Sequence, residues 1–176
     1  MTPQERDSAL AAALPQVPAR GWAGVAGDFP GGAIGMVAWF LDRADRSMAA
    51  HAATPAFQAL RTTARVRALV LHRLAVLDAD REAARRAVAL LARPGQALRA
   101  ARMLAGTVDM IWNLAGDSAT DANRHSKRAL LAGVYSATLL FWLRNPDSVA
   151  VAGFLDRRLA DVGQIGKLRQ RLRPAA

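Results

Sequence analysis

The sequence has no cysteine and only two glutamates, Glu5 and Glu82. Without thiols it can hold no disulfide, zinc ribbon, iron–sulfur cluster or cysteine nucleophile. Two glutamates are too few for the glutamate-rich di-metal sites of helical bundles and for most paired-glutamate hydrolases. Aromatics make up 6% of the chain, with one tyrosine, Tyr135, so the residues that favour strands are scarce. The longest apolar stretch, 129–143, falls short of the roughly 20 residues that cross a bilayer. The polar, mixed-charge opening from Met1 to Leu10 does not read as a secretory leader, and a cytoplasmic location is expected.

What is present points to helices. The 176 residues are 52% hydrophobic, enough for one compact core, and 40 of them are alanine. The formal net charge is +10, carried by 22 arginines against two lysines, Lys127 and Lys167. Such a field suits nucleic acid, an anionic membrane or an acidic protein, and does not choose among them.

Thr2-Pro3-Gln4-Glu5 is a capping box with proline at the first helical position, so a helix is expected to begin there and to end before Pro15. From Pro15 to Gly35 three prolines and six glycines predict mostly loop, with at most one short helical turn around Trp22 to Ala26. Ile34, Val37, Leu41, Ala44 and Met48 predict an amphipathic helix to about Ala52. Thr54-Pro55 predicts the start of one long helix through Leu60, Leu69 and Leu77, punctuated at Asp78 to Asp80. A shorter helix follows to Leu91 and breaks at Arg93-Pro94-Gly95, and the next stops at Gly116 as a left-handed cap. The helix from Thr120 to Arg144 is apolar on nearly every side over 129–143, which predicts central burial or a cavity wall. Asn145 to Ser148 end it and cap a last helix through Phe154, Leu159 and Val162. The segments are an N-terminal region 1–32, a bundle 33–163 and a basic tail 164–176.

Catalytic signals are weak, and an enzyme built on Asp109 and Asp117 would lack a base or metal partner. His51, His72 and His125 fall on different predicted helices without metal-ligand spacing, and Gly31 to Gly35 follows no strand and reads as a helix entry. No enzymatic activity, metal or cofactor is expected. Arg61, Arg65, Arg67 and Arg73, with Arg81, Arg85 and Arg86, read as solvated faces whose stems cover the core. The corner from Val108 to Asn123 stands out: Asp109 and Trp112 lie one turn apart, and Asp117, Ser118, Thr120 and Asp121 crowd the start of the following helix. An acidic and aromatic patch of this kind suits a protein partner.

The stretch from Asp109 to Asp121, then Lys127 to Tyr135 and Phe154 to Arg158, resembles the Coq-nine family of ubiquinone (coenzyme Q) biosynthesis proteins. Ala12 to Pro18, Gly21-Trp22 and Phe29 to Gly32 are similar to its opening. Trp112 to Asn123, reading Trp-x-x-Ala-Gly-Asp-x-Ala-Thr-Asp-x-Asn, carries most of the likeness. The resemblance implies an all-α, TetR-like bundle of about nine helices, dimeric, with the N-terminal helix-turn-helix abbreviated in this chain. It implies a lipid-binding accessory protein that holds an isoprenoid quinone precursor, or a phospholipid, and presents it to the demethoxyubiquinone hydroxylase or another ubiquinone-pathway enzyme. By the same likeness Asp109, Ile111, Gly116, Asp117, Asp121, Asn123 and Arg128 face or support the partner. Ala122, Arg124 and His125 replace the family's aromatics, and Arg124 and His125 are added as partner contacts. Trp112, Leu131, Val134, Tyr135, Leu139 and Trp142 are the candidate pocket, chosen from the apolar central helix. In place of the family's membrane helix stands a short basic segment, Lys167, Arg169, Arg171 and Arg173, expected to touch anionic headgroups at the inner membrane. The competing reading is a TetR-like DNA-binding regulator with an apolar effector; it needs a recognition helix between Pro18 and Gly32, where helix formers are few.

Overall fold

A computed structural model describes the backbone of residues 1–116 and 123–171, and the side chains of 1–116 and 125–162. Among these residues the chain forms nine α-helices, one 3-10 turn and no strand. It divides into two compact units, Met1–Asp117 and Ser118–Ala176.

In the first unit α1 (Pro3–Ala13) opens on the expected box: the Glu5 amide donates to Thr2 Oγ1 at 3.2 Å and the Thr2 amide to Glu5 Oε2 at 2.7 Å. A 3-10 turn over Leu14–Gln16 then leads into α2 (Val17–Val25), where a loop was expected. The prolines do no harm there. Pro15 and Pro18 occupy first-turn positions whose amides have no intrahelical partner, and Gly21 (φ 66°, ψ 170°) takes up a kink. Burial decides the matter, because Val17 and Trp22 enter the core and the Trp22 indole N–H donates to the Ala83 carbonyl at 3.1 Å.

Helix α3 (Gly32–Ala52) begins behind Gly31, a left-handed residue at φ 78°. It buries Met36, Phe40, Ala44, Met48 and Ala52, a ridge at every fourth residue, and the helix packs on α5 and α7. Thr54 does cap a helix at Pro55, but α4 (Pro55–Gln58) lasts four residues. The chain leaves helical geometry, with Arg61 extended (φ −76°, ψ 156°), before α5 (Thr62–Asp78), so the single long helix is two. No glycine or proline marks this break. Its cause is tertiary: Phe57 is drawn into the core, and Arg65 donates to the freed Gln58 carbonyl at 2.6 Å. Helices α6 (Arg81–Leu91) and α7 (Ala97–Ala115) complete the unit, with α6 packed on α2.

Polar ties hold this unit in register. Trp39 on α3 donates to Asp7 on α1 at 2.7 Å, with the Arg6 and Arg46 guanidiniums 5.2 and 4.5 Å from its ring centre. Arg73, expected on a solvated face, is 3% exposed. Its Nε donates to Asp45 Oδ1 at 2.6 Å, and the Thr107 hydroxyl donates to Asp45 Oδ2 at 3.0 Å, which joins α5, α3 and α7. The other arginines named with it divide: Arg61 is exposed, Arg65 and Arg67 half-buried, and Arg81, Arg85 and Arg86 pair with Asp78 and Glu82.

The second unit pairs α8 (Asn123–Arg144) with α9 (Ser148–Arg171). Asp147 caps α9, accepting from the Val149 amide at 2.8 Å. Phe141 and Phe154 stack in parallel with centroids 4.4 Å apart, and Arg158 lies over Phe154. The backbone of Lys167, Arg169 and Arg171 continues α9 to its end.

Candidate interaction site

Helix α7 ends in the way the sequence predicts. Gly116 adopts φ 82°, ψ 26°, and its amide returns to the Asn113 carbonyl at 3.1 Å, a left-handed cap that suits glycine. Asp109 and Trp112 are half-buried on this helix and Gly116 is exposed. Ile111 is 0% exposed and belongs to the core, not to the surface. Asp117 and Asp121 lie outside the described residues, as do the side chains of Asn123 and Arg124.

Arg65 is the residue that sequence reading missed here. From α5 its Nη1 reaches the Ala115 carbonyl at 3.5 Å while Nη2 holds Gln58, and its guanidinium lies 5.8 Å from the Phe57 ring centre. One cation thus meets the carbonyl ends of two helices, where the helix dipole favours positive charge. Fifty residues separate it from Ala115. No local pattern signals that reach.

On α8 the structure corrects the expectation of burial on every side. Leu131, Val134, Tyr135, Thr138 and Trp142 are buried at spacings of three and four, forming one face. Thr138 satisfies its hydroxyl on the Val134 carbonyl at 2.7 Å. Leu139 is half-buried at the edge of that face. The opposite side carries Ala129, Gly133, Leu140 and Arg144, all exposed, with Leu140 at 51%. The helix is apolar all round because its outward side is small residues and one leucine, not because it is enclosed. His125 is exposed and Arg128 half-buried near its start.

Among the described residues no group of three or more His, Asp or Glu is placed to hold an ion. His51 and His72 stack with centroids 4.4 Å apart, and His72 Nε2 lies 2.9 Å from the Ser47 hydroxyl. Burial, and then the neighbouring His51, push the His72 pKa below its ordinary value.

The helical arrangement defines the class. It is a TetR-like fold, similar to the crystal structure of a TetR transcriptional regulator from Nitrosomonas europaea at a TM-score of 0.71 and 20% identity, over 92% of this chain and 99% of that one. Within that fold residues 97–166, from α7 through most of α9, match the COQ9 family model. The motif from Asp109 to Arg128 lies inside this matched stretch. Similar proteins include the mitochondrial ubiquinone biosynthesis protein COQ9 of Rattus norvegicus, 36% identical over 83 residues, and that of Homo sapiens, 34% identical over 83 residues. These matches cover 46% of this chain and 27% and 26% of those proteins, so they span about a quarter of the relatives' length. The likeness seen at Ala12 to Gly32 lies outside the matched residues.

Proposed function

We propose that this chain is a non-catalytic, lipid-binding accessory protein of ubiquinone biosynthesis, holding an isoprenoid quinone precursor and presenting it to a partner hydroxylase. The observation that carries this reading is the COQ9 match over residues 97–166, which contains both the Gly116 corner and the apolar face of α8. On α8, Leu131, Val134, Tyr135, Leu139 and Trp142 would take the prenyl tail; Trp112 on α7 is a further candidate for lipid contact. Burial at about 25 cal/mol per Å² makes several isoprene units ample for tight binding. Asp109, Gly116, Asp117, Asp121, Asn123, Arg124, His125 and Arg128 are the proposed docking residues, with Ile111 supporting Asp109 and Trp112 from inside α7. A phospholipid is the other candidate cargo. Lys167, Arg169, Arg171 and Arg173 would hold the protein peripherally on the anionic inner membrane, and no helix of the described residues is long and apolar enough to cross it.

A homodimer would pack through the exposed Ala129, Gly133 and Leu140 side of α8. A side chain added at Gly133 meets nothing within 4 Å, so Gly133→Arg should fold and yet halve the mass in solution. Sedimentation equilibrium reads this directly; an unchanged mass moves the interface elsewhere. DNA binding is disfavoured because the only helix between Pro18 and Gly32, α2, spends Trp22 in the core and packs on α6.

The deciding experiment is native mass spectrometry of gently purified protein, followed by organic extraction of what it releases. A co-purifying isoprenoid quinone, reduced in Trp112→Ala, supports the reading. Asp121→Lys should lose the hydroxylase while retaining lipid. Release of the lipid by Asp121→Lys would show that docking and cargo sites are not separate.

A further inference from the structure

Helices α2 and α6 leave a groove of about 280 Å³ between them. Arg20, Arg86 and Arg93 line it, together with Trp22, Ala89 and Leu90, and no acidic residue does. The arginines differ in how far they are engaged. Arg86 is anchored, donating to the Pro18 carbonyl at 2.6 Å and to Glu82 at 3.1 Å. Among the described residues the side-chain partner of Arg20 is neutral, the Gln16 side-chain oxygen at 2.8 Å. The exposed Arg93 guanidinium has no hydrogen-bond or ion-pair partner among the described residues. The groove thus gathers three permanent positive charges over an apolar floor, with only Glu82, outside the lining, offsetting one of them.

We infer that this groove binds the phosphomonoester head of a small anionic amphiphile. The site lies outside residues 97–166, which match the COQ9 family model, and does not depend on the function proposed above. The donor set selects the head. A single carboxylate is satisfied by one bidentate guanidinium, whereas a dianionic phosphate offers three oxygens, each able to accept from a different arginine. The floor selects the rest of the molecule. Ala89 and Leu90, over the edge of the buried Trp22, give a small apolar surface that inorganic phosphate leaves wet, and the volume admits the head with a few carbons attached. Gly21 makes the arrangement possible: its non-helical φ of 66° interrupts α2 between Arg20 and Trp22, and both still line the same groove.

The test uses the full chain and dihexanoyl phosphatidic acid below its micellar concentration, with titration calorimetry and the Trp22 indole N–H resonance as readouts. Saturable binding that shifts that resonance is expected. Arg93→Ala and Arg20→Ala should each weaken it at least fivefold, while the exposed Arg102→Ala, equal in charge, should leave it within twofold. Dihexanoyl phosphatidylcholine should bind at least tenfold more weakly. Inorganic phosphate binding as tightly as the lipid would overturn the amphiphile in favour of a free-phosphate site. Binding that ignores Arg20 and Arg93 would place the contact elsewhere, on the basic C-terminus for example, and refute the site. Displacement of the lipid by a short DNA duplex would equally overturn it.

Discussion

Arg73 brings a full charge into the first unit, and Asp45 and Thr107 answer it. Removing one partner of such a pair leaves the other charge stranded, which typically costs about 3–5 kcal/mol. Asp45→Ala should therefore lower the urea midpoint sharply, whereas replacing Arg73 and Asp45 together by apolar residues should cost much less than the two single changes summed. His72 adds a pH dependence of known sign. Its folded-state pKa lies below the usual value of 6.5, so the unfolded chain binds the proton more readily. Stability from this site is complete above about pH 6.5 and falls as acid charges the ring, against His51 and away from water. A chemical-denaturation series from pH 8 to 5 should show that loss, and His72→Gln should flatten the slope. The burial of Arg73 was not legible in the sequence. Arg73 sits among arginines that look alike in a linear reading, and only the approach of Asp45, 28 residues away, distinguishes it.

Elements whose ends carry their own chemistry were read correctly from the sequence. The Thr2–Glu5 box, the Gly116 cap and the entry at Gly31–Gly32 each satisfy backbone groups locally, and each helix begins or ends at the predicted place. The α2 helix and the α4–α5 break were misread because long-range contacts overrule local signals there, at Trp22 and Ala83 and at Arg65 and Gln58. The apolar 129–143 run shows a third limit: hydropathy counts side chains, and cannot tell a small outward residue from a buried one. Two glycines give opposite predictions on this scale. A Cβ at Gly35 would lie 1.9 Å from the Pro30 carbonyl oxygen, so Gly35→Ala must displace backbone and should destabilise by about 1–3 kcal/mol. Gly106, exposed within α7 with nothing within 4 Å of its Cβ position, should gain about 0.4–1 kcal/mol as alanine. Thermal melts of the two variants, run side by side, should move in opposite directions.

At the scale of the whole molecule, fold class was the most legible feature: an alanine-rich, cysteine-free chain with repeated caps gives an all-helical bundle. The candidate site was legible only as a motif, because docking and cargo residues are defined by what they meet outside this chain. The short α4 has a further consequence. Between Gln58 and Thr62 an extended, exposed arginine stands outside any helix; exposed Arg93 also lies between helices, but Pro94 follows it and trypsin does not cut that bond. Trypsin, faced with 22 arginines, should make an early cut after Arg61 under native conditions, and the two fragments should stay together through Phe57 and the α3–α5 packing. The same point is a natural place to split the chain into two fragments, making Thr62 a serviceable first residue of the second.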